Sequence, residues 1–226
     1  MSNEEESNPQ ELRSSPGCGC IILISIIIVF GGLIVLYTFV GFYQTRKIDD
    51  FTQDLPMKIQ VDQPDEAAVK TAMAKLKQIE QAVEEKEVIR VLFSPSDLNT
   101  LIATQEMLED FRGQTYITRI SPQGIYADMA QPMRKGIIDS GRRYLNATFV
   151  LLPEVRPRTV AFKIVDILAL EGEVPSEFVS NYALLDLFRL DPENEQIEKH
   201  IGYIASVYTE GDALVVETGI KVGLEE

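Results

Sequence analysis

The chain has 226 residues, and its 21 Lys and Arg against 35 Asp and Glu give a net charge of −14 at neutral pH. Without Arg13 and Glu4, Glu5, Glu6 and Glu11, residues 44–226 hold 20 basic and 31 acidic residues, net −11, enough chain for one ordinary domain. A surface that acidic repels phosphate backbones and anionic head groups, which argues against nucleic acid as a partner and against electrostatic docking onto lipid.

Residues 1–17 are polar, carry two prolines and show no apolar period, so a disordered acidic tail is expected. Residues 18–43 form an apolar run. Both cysteines, Cys18 and Cys20, stand at its start, which leaves the rest of the chain without a disulfide. A single C-x-C beside one histidine, His200, makes no zinc site. The pair reads as two small residues at a helix entrance, with S-acylation as the sharper alternative.

Between residues 21 and 43 only Ser25 and Thr38 are clearly polar. A helix over that stretch reaches about 34 Å, sufficient for a hydrocarbon core of about 30 Å. Residues 21–43 are therefore expected to span a lipid bilayer. Tyr37, Phe42 and Tyr43 cluster at the exit, followed by Arg46 and Lys47 as interfacial anchors. A cleaved signal peptide would have a shorter apolar core ending in an A-x-A-like site, which is absent here. Gly31 and Gly32 do not form a G-x-x-x-G pairing motif.

The positive-inside count is nearly even, with Arg13 and the terminal amine on one side and Arg46, Lys47 and Lys58 on the other. By itself it leans toward a cytoplasmic domain. A short tail, one span and a large domain is nevertheless the layout of a signal anchor, and confinement of both thiols to the tail side of the span suits a reducing compartment there. The expected orientation is N-terminus in the cytoplasm and C-terminal domain outside.

Residues 44–63 read as a linker, since Asp49, Asp50, Pro56 and Pro64 discourage a continuous helix. A domain over residues 64–226 follows. Pro64 suits a first helical turn, and Val69, Ala72, Met73, Leu76, Ile79 and Val83 recur at three and four with Lys and Glu opposite, an amphipathic helix whose stripe reads as a core face. VIRVLF is a short strand. SPSDLNTLIA then starts a helix, Ser94 capping it, Pro95 in the first turn, Asp97 in capping-box position and Asn99 a candidate buried polar lock.

TYITRI and GIYADMA flank a turn at residues 121–124. The following strand sets Leu145, Ala147, Phe149 and Leu151 on one face and returns through PEVRPR. TVAFKIVDILAL, read with strict alternation, puts Val160, Phe162, Ile164 and Leu168 on one side and Ala161, Val165 and Ile167 on the other. A helix with Pro175 at its entrance, Phe178, Val179, Tyr182, Leu185 and Phe188 at helical spacing, and a short acidic helix around residues 192–201 come next. Two strands joined across Glu210-Gly211-Asp212 close the chain. Short returns with inserted helices and no βαβ alternation predict an α+β fold, an N-terminal transmembrane helix followed by one domain with a largely antiparallel sheet and several packed helices.

The motifs of nucleophilic, zinc and nucleotide chemistry are missing: there is no G-x-S-x-G, H-E-x-x-H, Gly-rich phosphate loop or Cys-His pair. Asp191, Glu193 and Glu195 read as a solvated face, because the glycine turn of a calcium loop is lacking. Asn146-Ala147-Thr148 fits the glycosylation pattern inside a predicted strand, where chance is the plainer origin. A non-enzymatic protein without metal or cofactor is expected. The informative feature is the two-faced apolar character of residues 144–170: either helices cover the second side, or it lines a groove for a lipid or acyl chain. The residues expected to line that surface are Phe149, Leu151, Phe162, Ile164 and Leu168.

The order of tail, span, amphipathic helix, LFSPSDLNTLI, GRRYLNATF and ALEGEVPSEFV resembles single-pass bacterial membrane-anchored proteins of the YpmS type, most specifically at Asp97-Leu98-Asn99 and Gly172-Glu173-Val174-Pro175. The resemblance implies a domain outside the cytoplasmic membrane and a lipid-binding sheet-and-helix fold, and it transfers no catalytic residue. The expectation is thus an inner-membrane protein whose extracytoplasmic domain binds an apolar ligand or an envelope partner. The alternative is a structural tether that scaffolds other envelope proteins without a small-molecule ligand.

Overall fold

The computed structural model describes residues 16–134, 141–157, 159–185, 188–190 and 201–219, with side chains from residue 22 onward. The tail before residue 16, the side chains of Cys18 and Cys20, and residues 191–200, which hold Asp191, Glu193, Glu195, His200 and all but the last residue of the expected acidic helix, lie outside the described residues.

Helix α1 runs Pro16–Asp49. Its large apolar side chains from Ile22 to Tyr43 are 40–68 % exposed, so no part of the domain covers them. The stretch Ile22–Asp49 is long and apolar enough to cross a membrane. Its hydroxyls are satisfied inside the helix, Thr38 Oγ1 donating to Ile34 O at 2.8 Å and Thr45 Oγ1 to Gly41 O at 2.9 Å. Arg46 and Lys47 lie over the rings of Phe42 and Tyr43 at 4.7 and 5.9 Å.

Residues 44–49, read from sequence as the start of a linker, instead continue α1 into the domain. Ile48 packs against the core, and Phe51 is 2 % exposed. The segment beyond follows strand β4 (Arg142–Val155): Gln53 and Tyr144 exchange backbone bonds of 2.9 and 2.7 Å, and Ile59 is buried.

Helix α2 (Glu66–Glu85) is capped by Asp65, whose Oδ1 accepts from Ala68 N at 2.7 Å, so Pro64 stands just outside the first turn. Its buried stripe of Ala72, Ile79, Ala82 and Val83 faces the core, as the spacing predicts. After strand β1 (Arg90–Phe93), helix α3 (Pro95–Thr104) has the full capping box of Ser94 and Asp97, and a 3-10 helix, Glu106–Phe111, follows. Strands β2 (Thr115–Ser121), β3 (Gly124–Arg134), β4 and β5 (Val160–Ala169) form one antiparallel sheet in that order. Helix α4 covers Ser176–Ala183. Strands β6 (Ile204–Glu210) and β7 (Ala213–Thr218) build a second antiparallel sheet, order β1-β7-β6. The fold is α+β, with two antiparallel sheets and packed helices behind one apolar N-terminal helix.

Strict alternation fails in β5. Leu151 pairs with Ile164 but Val150 pairs with Asp166, so Val165 is an extra residue bulging from the strand. The bulge shifts the phase: Val160, Ile164 and Ile167 are buried, whereas Val165 and Leu168 are exposed. Leu168 is therefore not on the face of Phe162 and Ile164. On β4 the predicted inward set Leu145, Ala147, Phe149 and Leu151 is buried as expected. The opposite face is covered at Asn146 by residues 55–57 rather than by a helix: Asn146 Nδ2 donates to Leu55 O at 2.9 Å and its Oδ1 accepts from Met57 N at 2.9 Å. At 3 % exposure Asn146 cannot serve as a glycosylation acceptor in the folded chain.

Candidate functional site

Between the two sheets, under α2, α3 and the 3-10 helix, lies a cavity of about 330 Å³. Leu76 and Ile79 of α2, Leu101 of α3, and Met107, Leu108 and Phe111 of the 3-10 helix form its roof. Ile117, Met129 and Leu151 of the four-stranded sheet form one wall, and Val207, Leu214 and Val216 of the three-stranded sheet the other. Among the described lining residues only Glu80, Gln105 and Thr115 are polar, and only Glu80 is exposed, which places the mouth along α2.

Native interiors hold few voids larger than a water molecule. Water against an apolar lining forfeits part of its hydrogen bonding, so an apolar molecule that enters displaces it favourably. The volume falls within the range of about 300–1,000 Å³ typical of small-molecule sites. The lining carries one charged group and no partner acid, base or nucleophile among the described residues. Its chemistry is that of a container for hydrocarbon.

The roof is held by polar contacts. Asn99, 4 % exposed, donates from Nδ2 to Ile117 O and accepts at Oδ1 from Ile117 N, both at 2.8 Å, locking α3 to β2. Lys75 Nζ lies 2.6 Å from Asp97 Oδ2 and ties α2 to the cap of α3. Burial pushes the Asp97 carboxyl up, but the hydrogen bonds from Lys75 and Ser94 outweigh it and hold its pKa below the ordinary aspartate value. Gln105 Nε2 reaches Met73 Sδ at 2.9 Å, a further α2–α3 contact beside the mouth.

The opposite end of the domain holds α1. Arg143, its side chain 13 % exposed, donates from Nε to Thr52 Oγ1 at 2.8 Å and from Nη1 to Asp54 Oδ1 at 2.7 Å. It also bonds Thr52 O through Nη2 and pairs with Asp49 at 3.2 Å. Gly172, at φ +72°, lets the backbone of residue 172 approach Asp50 so closely that a Cβ would stand 2.2 Å from Asp50 O. A row of rings joins this junction to the cavity: Phe51–Phe178 at 5.0 Å, Phe178–Tyr182 at 5.5 Å, Tyr182–Phe149 at 6.2 Å and Phe149–Phe188 at 5.9 Å, with Phe188 on the cavity wall. Burial raises the Tyr182 phenol pKa.

Of the five residues expected to line an apolar surface, the structure brings Leu151 and Phe162 to the cavity. Phe149 is fully buried behind it, against Tyr182 and Phe188, and Ile164 lies in the same core away from the lining. Leu168 is 48 % exposed. The space is on the inner side of the sheet, not on its second face. Sequence reasoning placed Leu76 and Ile79 on a core face, but a helical stripe reports burial and carries no signal of a void. No protein-family model, curated protein or solved structure matches the chain.

Proposed function

We propose that this chain is a non-enzymatic membrane-anchored protein whose domain takes the hydrocarbon part of a lipid into the cavity between its sheets. The observation that carries this reading is the apolar cavity of about 330 Å³ with a single charged residue at its mouth. Each methylene moved from water into such a space contributes about 0.8 kcal/mol, so a chain of ten carbons offers a gross 8 kcal/mol before the costs of association. In this reading α1 lies in the cytoplasmic (inner) membrane with its N-terminus in the cytoplasm, and the domain stands outside. The short polar tail, with both thiols at its end of the span, supports that side, and the resemblance to YpmS-type proteins implies it as well.

The test uses the full chain in lipid nanodiscs with a diazirine-bearing acyl lipid, photolysed and mapped by mass spectrometry. Adducts are expected on Met107, Phe111, Leu151 or Phe162. Adducts confined to α1 would sink the reading. A fluorescent-protein fusion at the C-terminus, dark in an oxidising compartment, tests the orientation separately.

A further inference from the structure

We infer that the cavity selects ligands whose polar end is uncharged or cationic, and that Glu80 at its mouth is the selecting residue; the inference rests on the proposed function above. A hydrocarbon tail filling an apolar cavity leaves its polar end at the opening. The opening is marked by the one exposed residue among the described lining, Glu80 of α2. No hydrogen bond or ion pair holds the Glu80 carboxylate among the described residues, so it is free to meet a head group.

The surroundings reinforce its sign. On the 3-10 helix that lines the same cavity, Met107, Leu108 and Phe111 form part of the wall while Glu106, Glu109 and Asp110, interleaved with them, are exposed. The cations nearby in sequence are Lys75, already held by Asp97 at 2.6 Å, Lys77, one turn before Glu80, and Arg112, whose guanidinium already donates to Ile102 O at 3.3 Å and Gln105 O at 3.2 Å. With Lys75 neutralised by Asp97, these four carboxylates outnumber Lys77 and Arg112, and on residues 44–226 of net charge −11 they make the mouth repel a carboxylate or phosphate end and attract an ammonium. Gln105, half-buried at the same rim, adds an amide that pairs with a hydroxyl or ester.

The experiment holds the full chain in amphipol with the neutral probe N-phenyl-1-naphthylamine and displaces it with dodecanol, dodecylammonium or dodecanoate at low salt. Taking the dodecylammonium-to-dodecanoate ratio in one variant against the same ratio in another cancels partitioning into the amphipol. In the native chain dodecylammonium is expected to displace the probe more strongly than dodecanoate by about three- to tenfold, the scale of a partly screened charge contact felt with opposite sign by the two probes. Glu80→Gln should shrink the ratio and Glu80→Lys invert it, both without loss of folding because the side chain is exposed. Added salt should flatten all three. A ratio unchanged by Glu80→Lys, while dodecanol still displaces the probe, overturns the selection and leaves the cavity reading standing. Failure of every amphiphile to displace the probe overturns the cavity reading and this inference with it.

Discussion

The substitution Val207→Phe tests the cavity by the sign of its effect. Val207 of β6 is 9 % exposed, pairs across the ladder with Val216, and lines the cavity with it. Unfilled buried volume costs about 24 cal/mol per Å³, so the space between the sheets is a packing deficit. A phenyl ring entering the void recovers part of it, about 0.5–2 kcal/mol, whereas the same ring in a close-packed core costs about 1–3 kcal/mol. Thermal unfolding of the full chain in amphipol, followed by circular dichroism after ligand removal, should show Tm raised by about 1–8 °C. With a neutral long-chain alcohol near 100 times its dissociation constant, the native chain should gain about 2.7 kcal/mol, and Val207→Phe little or none of it. A lower Tm in the stripped variant, or an undiminished gain with ligand, would refute the reasoning.

Asn99→Ala leaves the buried N–H and C=O of Ile117 unpaired and should cost about 2–5 kcal/mol, read as a lower denaturant midpoint and faster amide exchange at residue 117. The depressed pKa of Asp97 means that its ion pair stabilises the fold above the ordinary aspartate pKa of 3.8 and that this contribution disappears as pH falls through the lower folded value. Asp97→Asn should therefore be less stable than the native chain at neutral pH and lose less on acidification, as Tm measured from pH 7 down to about 2.5 will show. Arg143→Ala should cost about 1.5–3 kcal/mol through its buried contacts to Thr52 and Asp49, Asp54 adding little because it is 84 % exposed. Its signature is accelerated proteolysis between residues 50 and 58. Gly172→Ala should destabilise more than Gly211→Ala: both residues have positive φ, worth about 1–2 kcal/mol, but only at residue 172 does the new Cβ meet a backbone oxygen.

Much of the fold is legible because periodicity and turn chemistry report burial directly. The stripe Ala72, Ile79 and Val83, the capping box at Ser94 and Asp97, and the alternation Leu145 to Leu151 each show which face turns inward. The phase of β5 was not legible, because a bulge at Val165 changes no local composition and is fixed only by the pairing of β5 with β4. The extension of α1 was hidden for a similar reason. Residues 44–47 are polar, and what keeps them helical is the docking of Ile48 and Phe51 into a core that is remote in sequence. The cavity was invisible because a void is a property of how three layers meet. Leu76, Ile117 and Val216 would give the same pattern around a filled centre. Leu151 and Phe162 were found because they lie on inward faces, Phe149 and Ile164 were included for the same reason, and only the assembled layers separate lining from filler.

The distribution of packing along β4 explains how a domain tolerates so large an empty space. From Tyr144 to Leu151 the strand advances seven steps, about 24 Å. Near its start Arg143, together with Gly172 beyond β5, fixes the end of α1, and Phe149 anchors the row of rings. The cavity wall runs alongside, at Leu151 with Ile125 opposite it and, on β3, at Met129 opposite Ala147. The rings of Phe51, Phe178, Tyr182 and Phe149 bury large apolar areas where the chain enters the domain, and the roof is held by Asn99 and Lys75 rather than by filling. Stability concentrated at the junction can then offset packing forgone between the sheets, the usual relation between a rigid scaffold and a site kept open for a ligand. It follows that weakening the junction should lower stability without closing the cavity, whereas filling the cavity should raise stability without loosening the junction. Arg143→Ala and Val207→Phe should therefore combine additively, within about 0.5 kcal/mol, in a double-mutant cycle.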